Sequence, residues 1–192
     1  MVLDGMIISI IVGFIRRGNL KELANLRIKG GLIFPILFVL EILIFIFQNR
    51  FPTLLFLSNY IYIFIYVLGL IFLYLNRNYK GFKLILLGVF LNFLVMAING
   101  GRMPVSLDVA YMIDPVNAEY IKNGGMYAKH QVLTANTHLG FLGDIIPITH
   151  PYPKMQAISI GDVIMNIGIF IFVQWLMVTK HRTHFVKGGE TT

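Results

Sequence analysis

Apolar residues run in long blocks along this chain, separated by short polar stretches that carry most of its charge. Five blocks stand out: Met1–Ile15, Leu32–Phe47, Leu54–Leu75, Phe82–Ile98 and Ile158–Val178. A helix needs about 20 apolar residues to cross roughly 30 Å of hydrocarbon. The third block meets that length without a single charge. Together the blocks predict an all-α, polytopic transmembrane bundle of about five spans. The first block is short, and it can lie partly in the interface or cross a locally thinned bilayer. It lacks the basic leader and small-residue cleavage site of a signal peptide, so it reads as a retained span.

The polar connectors set the orientation. Arg16, Arg17, Lys21, Arg27 and Lys29 lie between blocks one and two, Arg77, Lys80 and Lys83 between three and four, and Lys180, Arg182 and Lys187 after five. Arg50 is the single basic residue between two and three, and segment 99–157 balances four basic against four acidic residues. Basic and non-basic loops therefore alternate. By the positive-inside rule this predicts an outer N-terminus and a cytoplasmic C-terminus. Removing any one span would break the alternation. Segment 19–29 predicts a short amphipathic connector helix, with Asn19 as cap, Glu22 three residues on and Gly30–Gly31 as stop.

The chain accordingly divides into a four-helix membrane region with its connector (1–98), an extracytoplasmic lid (99–157), and a last span with a basic cytoplasmic tail (158–192). The lid is too apolar for a linker. Asp114–Pro115, then Val116–Lys122, then Gly124–Gly125 has the order of a cap, a first-turn proline, a short helix and a stop. Segment 138–149, broken by Gly140, Gly143 and Pro147, predicts a re-entrant or interfacial stretch.

Composition narrows the chemistry. The 192 residues are 57% hydrophobic and 13% charged, against about 45–50% and 25% in soluble domains. Cysteine is absent, which excludes disulfides, thiolate-bound metals, iron–sulfur clusters and thiol nucleophiles. No histidine falls within a block, so a bis-histidine haem inside the bundle is excluded and no cofactor is expected. The net charge of +7 sits beside the apolar blocks. It reads as topology and contact with anionic lipid rather than nucleic acid.

Three stretches resemble a known group: N-G-G-R-M-P-V-S at 99–106, L-G-F-L-G-D-I-I-P at 139–147 and S-I-G-D-V at 159–163. Small bacterial membrane proteins grouped as a domain of unknown function carry similar elements in this order, with proline where this chain has Ile160. The resemblance covers about the last half of the chain. It implies a membrane location and fold, and carries no activity.

Candidate site residues fall into three sets. Glu41 lies in mid-block, where an ionised carboxylate costs a few kcal/mol. At ~1.5 Å per residue, Asn92 and Asn166 lie at similar depth, and Tyr62 and Tyr66 can complete a polar cluster. That cluster reads as a proton, ion or ligand site, or as interhelical hydrogen-bonded glue. Asp162 follows Ser159 with capping-box spacing, and Asp144 has a similar Gly-Asp setting. Either pairs for acid–base work or simply holds local structure. His130, His138 and His150, with Asp144, suit a divalent metal by ligand type, though their spacings match no compact motif. Asn99 and Arg102 flank glycines that can receive an anionic head group.

The leading expectation is a non-enzymatic membrane protein binding a lipid, small ligand or partner protein at the outer mouth. The alternatives are transport of a small solute, ion or proton through a homo-oligomeric bundle using Glu41, and outward-facing metal-assisted or acid–base hydrolysis by Asp144 and Asp162.

Overall fold

A computed structural model describes residues 2–21, 26–124 and 129–179. Each apolar block forms a helix: α1 (Val2–Ile15), α2 (Ile33–Phe47), α3 (Pro52–Leu75), α4 (Phe82–Ile98) and α7 (Ile160–Gln174), which continues as a π-turn over Trp175–Thr179. Two segments are long and apolar enough to cross a membrane, Thr53–Leu75 with 23 residues and Ile160–Val178 with 19. Asp4–Ile15, Pro35–Phe47 and Phe82–Ile98 are shorter apolar helices. Of the five spans expected, two are helices long enough to cross and three are shorter apolar helices. Turns cut the short ones: a 3-10 turn at Gln48–Arg50 closes α2, and left-handed Gly81 opens α4.

The helices stand in the order α1, α7, α4, α3, α2. Chain neighbours α2–α3 and α3–α4 pack as hairpins, while α7 inserts between α1 and α4. Glycine makes that insertion possible. On α4 and just before it, Gly88 and Gly81 oppose Gly161 and Gly168 of α7. A Cβ at Gly81 would lie 2.2 Å from the Gly168 carbonyl, and one at Gly88 would lie 2.4 Å from that of Gly161. Small residues at this spacing let two backbones touch, which is how helices associate where lipid removes the hydrophobic drive. On the opposite face, Gln174 joins α7 to α1. It donates to the Ser9 carbonyl at 2.7 Å and accepts from Arg16 at 2.9 Å.

Of the connector predicted over 19–29, residues 22–25 lie outside the described residues. Asn19 accepts from the Lys21 amide at 3.0 Å, as a cap would. The returning strand is pinned by Asn76, whose side chain exchanges two 2.9 Å bonds with the Lys29 backbone.

The lid is more than partly helical. It carries α5 (Leu107–Ile113) and α6 (Pro115–Lys122) with four short strands: β1 (Met103–Val105), β2 (His130–Val132), β3 (Ile146–Ile148) and β4 (Gln156–Ile158). Strands β1 and β2 pair in parallel, β3 and β4 antiparallel. The stretch at 138–149, expected to be re-entrant or interfacial, folds as a 3-10 turn at Gly140–Leu142 followed by β3, which pairs with β4. Asp114 caps α6 from the Asn117 amide at 3.1 Å. The backbone and side-chain hydrogen bonds from Asn117 hold its carboxyl below the ordinary range.

Candidate functional site

The lid end gathers the N-termini of α1, α3 and α7 and the C-termini of α2 and α4. The three stretches that carry the family resemblance converge there. Asp144 bridges β1 on the edge opposite β2, donating its amide to the Pro104 carbonyl at 2.8 Å and accepting from the Ser106 amide at 3.2 Å. Gly143 permits the approach, since a Cβ there would meet the Pro104 carbonyl at 2.6 Å. Strand β3 then pairs with β4, which leads directly into the α7 cap.

Arg102 is 2% exposed and bolts the lid to the α2–α3 hairpin. Gly101, left-handed at φ +87°, turns the chain in against the Asn59 carbonyl. The Arg102 guanidinium then donates to Asn59 Oδ1 at 2.5 Å, Ser58 Oγ at 2.5 Å, the Leu55 carbonyl at 3.1 Å and Gln48 Oε1 at 3.3 Å. It also lies 5.3 Å from the Tyr62 ring centroid. Burial lowers its pKa, yet a base this strong keeps its proton. Its fork is therefore directed at protein acceptors, not at an open anion site. Asn99 is spent similarly, bonding the His138 backbone in both directions at 2.8 and 3.0 Å.

Asn92 belongs to the α7 cap. Its amide donates to Asp162 Oδ1 at 3.0 Å, and its oxygen accepts from Ser159 Oγ at 2.8 Å. Ser159 and Asp162 form a complete capping box at 3.0 and 3.1 Å. Asn166 faces α1, with its oxygen against Gly5. The cluster expected of Glu41, Asn92 and Asn166 does not form. Similar depth does not fix direction around a helix axis, and α2 stands at the far end of the row from α7.

Tyr66 of that set is instead covered by a lid residue not singled out in the sequence, Lys129. The Lys129 ammonium sits 6.0 Å from the Tyr66 ring centroid. Tyr66, with Glu41, Asp162 and Asp144 beyond it, raises the Lys129 pKa against the opposing effect of desolvation. Next in sequence, His130 Nε2 lies 3.0 Å from Asp144 Oδ2. Asp144 is 3% exposed, and its second oxygen has no hydrogen-bond partner among the described residues. No signal marked Lys129 in the sequence. Only the pairing of β2 with β1 carries it over the bundle.

The expected metal ligands are not brought together. His130 joins Asp144, His138 is held through its backbone by Asn99, and exposed His150 precedes a cis proline across the β3–β4 turn. Among the described residues no group of three or more histidines and carboxylates converges.

Residues 25–174 match the model of a family of unknown function, DUF5317. The chain belongs to this family. An uncharacterized protein of Thermotoga maritima is 30% identical over 172 residues, covering 90% of this chain and 89% of that protein. No solved structure matches the chain. The stretches meeting at the lid end, 99–106, 139–147 and 159–163, all fall within the span matched to DUF5317.

Proposed function

We propose that this DUF5317 protein is a five-span membrane protein, N-terminus outside and C-terminus cytoplasmic, whose lid binds a small polar ligand at the outer mouth. Charge placement supports the topology. Among the described residues, Arg16, Arg17, Lys21, Arg27, Lys29, Arg77, Lys80 and Lys83 cluster at the end away from the lid, with no carboxylate beside them. That distribution matches a cytoplasmic face beside anionic lipid. The short helices α1, α2 and α4 then require a thinned bilayer or shallow crossing.

One observation carries the binding reading. Under the lid Asp144 Oδ1 is buried with no hydrogen-bond partner among the described residues, and Lys129, the chain neighbour of the His130 that bonds Asp144 Oδ2, turns its ammonium toward the Tyr66 ring. A buried acceptor left unpaired costs roughly 1–3 kcal/mol. A ligand offering one donor and one anionic or acceptor group would satisfy Asp144 and Lys129 together. Mass spectrometry of protein purified gently from native membranes tests this. A small polar molecule should co-purify with the wild type and be lost from Lys129→Gln and Asp144→Asn. Equal recovery from all three proteins would remove the site from consideration.

A second reading is favoured by the 3.0 Å His130–Asp144 pair. A carboxylate orienting an imidazole is the arrangement that lets histidine act as general base toward water. Hydrolytic turnover abolished by both His130→Gln and Asp144→Asn would select this reading over simple binding.

A further inference from the structure

The end away from the lid holds a feature unconnected with the lid site. An apolar groove of about 520 Å³ lies there between helices α3 and α4, lined by Leu70, Ile71, Tyr74, Leu86, Leu87 and Phe90. Its side chains are open to the surroundings: Ile71, Tyr74, Leu87 and Phe90 are each 44–56% exposed. The groove ends at Lys83, which it shares with a second hollow of about 330 Å³ walled by Arg77 and Lys80. The Arg77 guanidinium is fixed at this junction. It lies 4.0 Å from the Tyr74 ring centroid and donates to the Tyr74 carbonyl at 2.8 Å. Tyr79 hydrogen-bonds the Arg27 carbonyl, and Asn76 holds Lys29, so the connector brings two more basic residues to the same end.

We infer that this continuous groove and basic hollow form a binding site for one anionic phospholipid of the inner leaflet. An acyl chain lies along Ile71, Leu87 and Phe90, and the phosphate is received by Arg77, Lys80 and Lys83. Charge complementarity selects an anionic lipid. The groove follows the helix axes, as an acyl chain does, and its single polar end carries three cations and no described carboxylate. A guanidinium held against Tyr74 beside two exposed ammonium groups suits a phosphodiester, the first by directed hydrogen bonds and the others as point charges. The inference rests on the membrane reading above and is independent of the lid site.

Full-length protein in detergent, titrated with phosphatidylglycerol or phosphatidylcholine and followed by thermal unfolding, tests the site. Reconstitution into nanodiscs checks membrane insertion separately, so failure there bears on the topology and not on lipid choice. Phosphatidylglycerol should stabilise at lower concentration than phosphatidylcholine. Each lysine near an anionic surface is worth about 1 kcal/mol, and about 1.4 kcal/mol is tenfold, so Lys80→Gln with Lys83→Gln should cut that preference roughly thirtyfold. Lys122→Gln, in the lid, should leave it intact. If the double variant does not fold, Lys83→Gln and Leu87→Trp, which fills the groove, carry the comparison. Equal stabilisation by both lipids, or full preference in the lysine variants, would overturn the inference. So would an equal shift with glycerol phosphate alone, or a dimer through this face that lipid does not displace.

Discussion

At the scale of single residues, polar side chains at the lid end divide into those spent on the fold and those left open. Arg102 is the clearest of the first kind. Its four acceptors come from one 3-10 turn and the first turns of α3. Arg102→Met strands those groups in a buried place and should cost about 3 kcal/mol of stability, read as the thermal midpoint in detergent. Arg102→Lys should recover less than half of that, because an ammonium cannot reach a forked set of acceptors. Recovery to wild-type stability would show that charge alone matters there. Asp144 is of the second kind, with one oxygen buried and unpaired among the described residues. A double-mutant cycle with Glu41→Gln and Lys129→Gln should return a coupling of about 0.5–3 kcal/mol if the two charges face each other under the lid. Strict additivity would separate them.

At the scale of elements, α7 is held by contacts at its start and along both faces. Ser159 is fully buried, accepts from the Asp162 amide and donates to Asn92. Ser159→Ala loses the cap, worth about 1 kcal/mol, and also leaves Asn92 Oδ1 unpaired. A loss of roughly 2 kcal/mol is therefore expected, and a change under half that would mean the cap is dispensable. The glycine contact between α4 and α7 is tested by two alanines. Gly88→Ala places a methyl 2.4 Å from a carbonyl oxygen and should destabilise by about 1–3 kcal/mol. Gly69→Ala, in α3 with nothing within 4 Å, should be neutral or stabilising by up to about 1 kcal/mol. Equal effects at the two sites would mean that α4 and α7 do not pack through glycine.

At the scale of the whole molecule, topology is the property most open to direct test. The chain has no cysteine, so single cysteines report without background. Asn76 is buried and bonded, whereas Asn78 in the same turn is exposed, as is Asn123 after α6. Cysteine at Asn123 should label with an impermeant thiol reagent in intact cells, and cysteine at Asn78 only after lysis. Labelling of Asn78 from outside would reverse or break the five-span arrangement. The same charge distribution on which the proposed orientation rests also supplies the cations of the groove between α3 and α4.

Sequence by itself determined the long helices but not the strands of the lid. The apolar blocks became helices within a residue or two of their expected ends. The α6 start at Asp114–Pro115 and the α7 capping box were readable too, because each is a bond between residues three apart. Tertiary structure decided who meets whom. Hydropathy gives the depth of a side chain along a helix but not its direction around the axis, so Glu41, Asn92 and Asn166 share a level and no contact. Nothing local distinguishes Lys129 from a solvated lysine, since its place over Tyr66 depends on a parallel strand pair closed across the lid. Even the helix order was fixed by a contact between the two ends of the chain. Glycines on α7 let it fit between α1 and α4, and that fit depends on both partners being present.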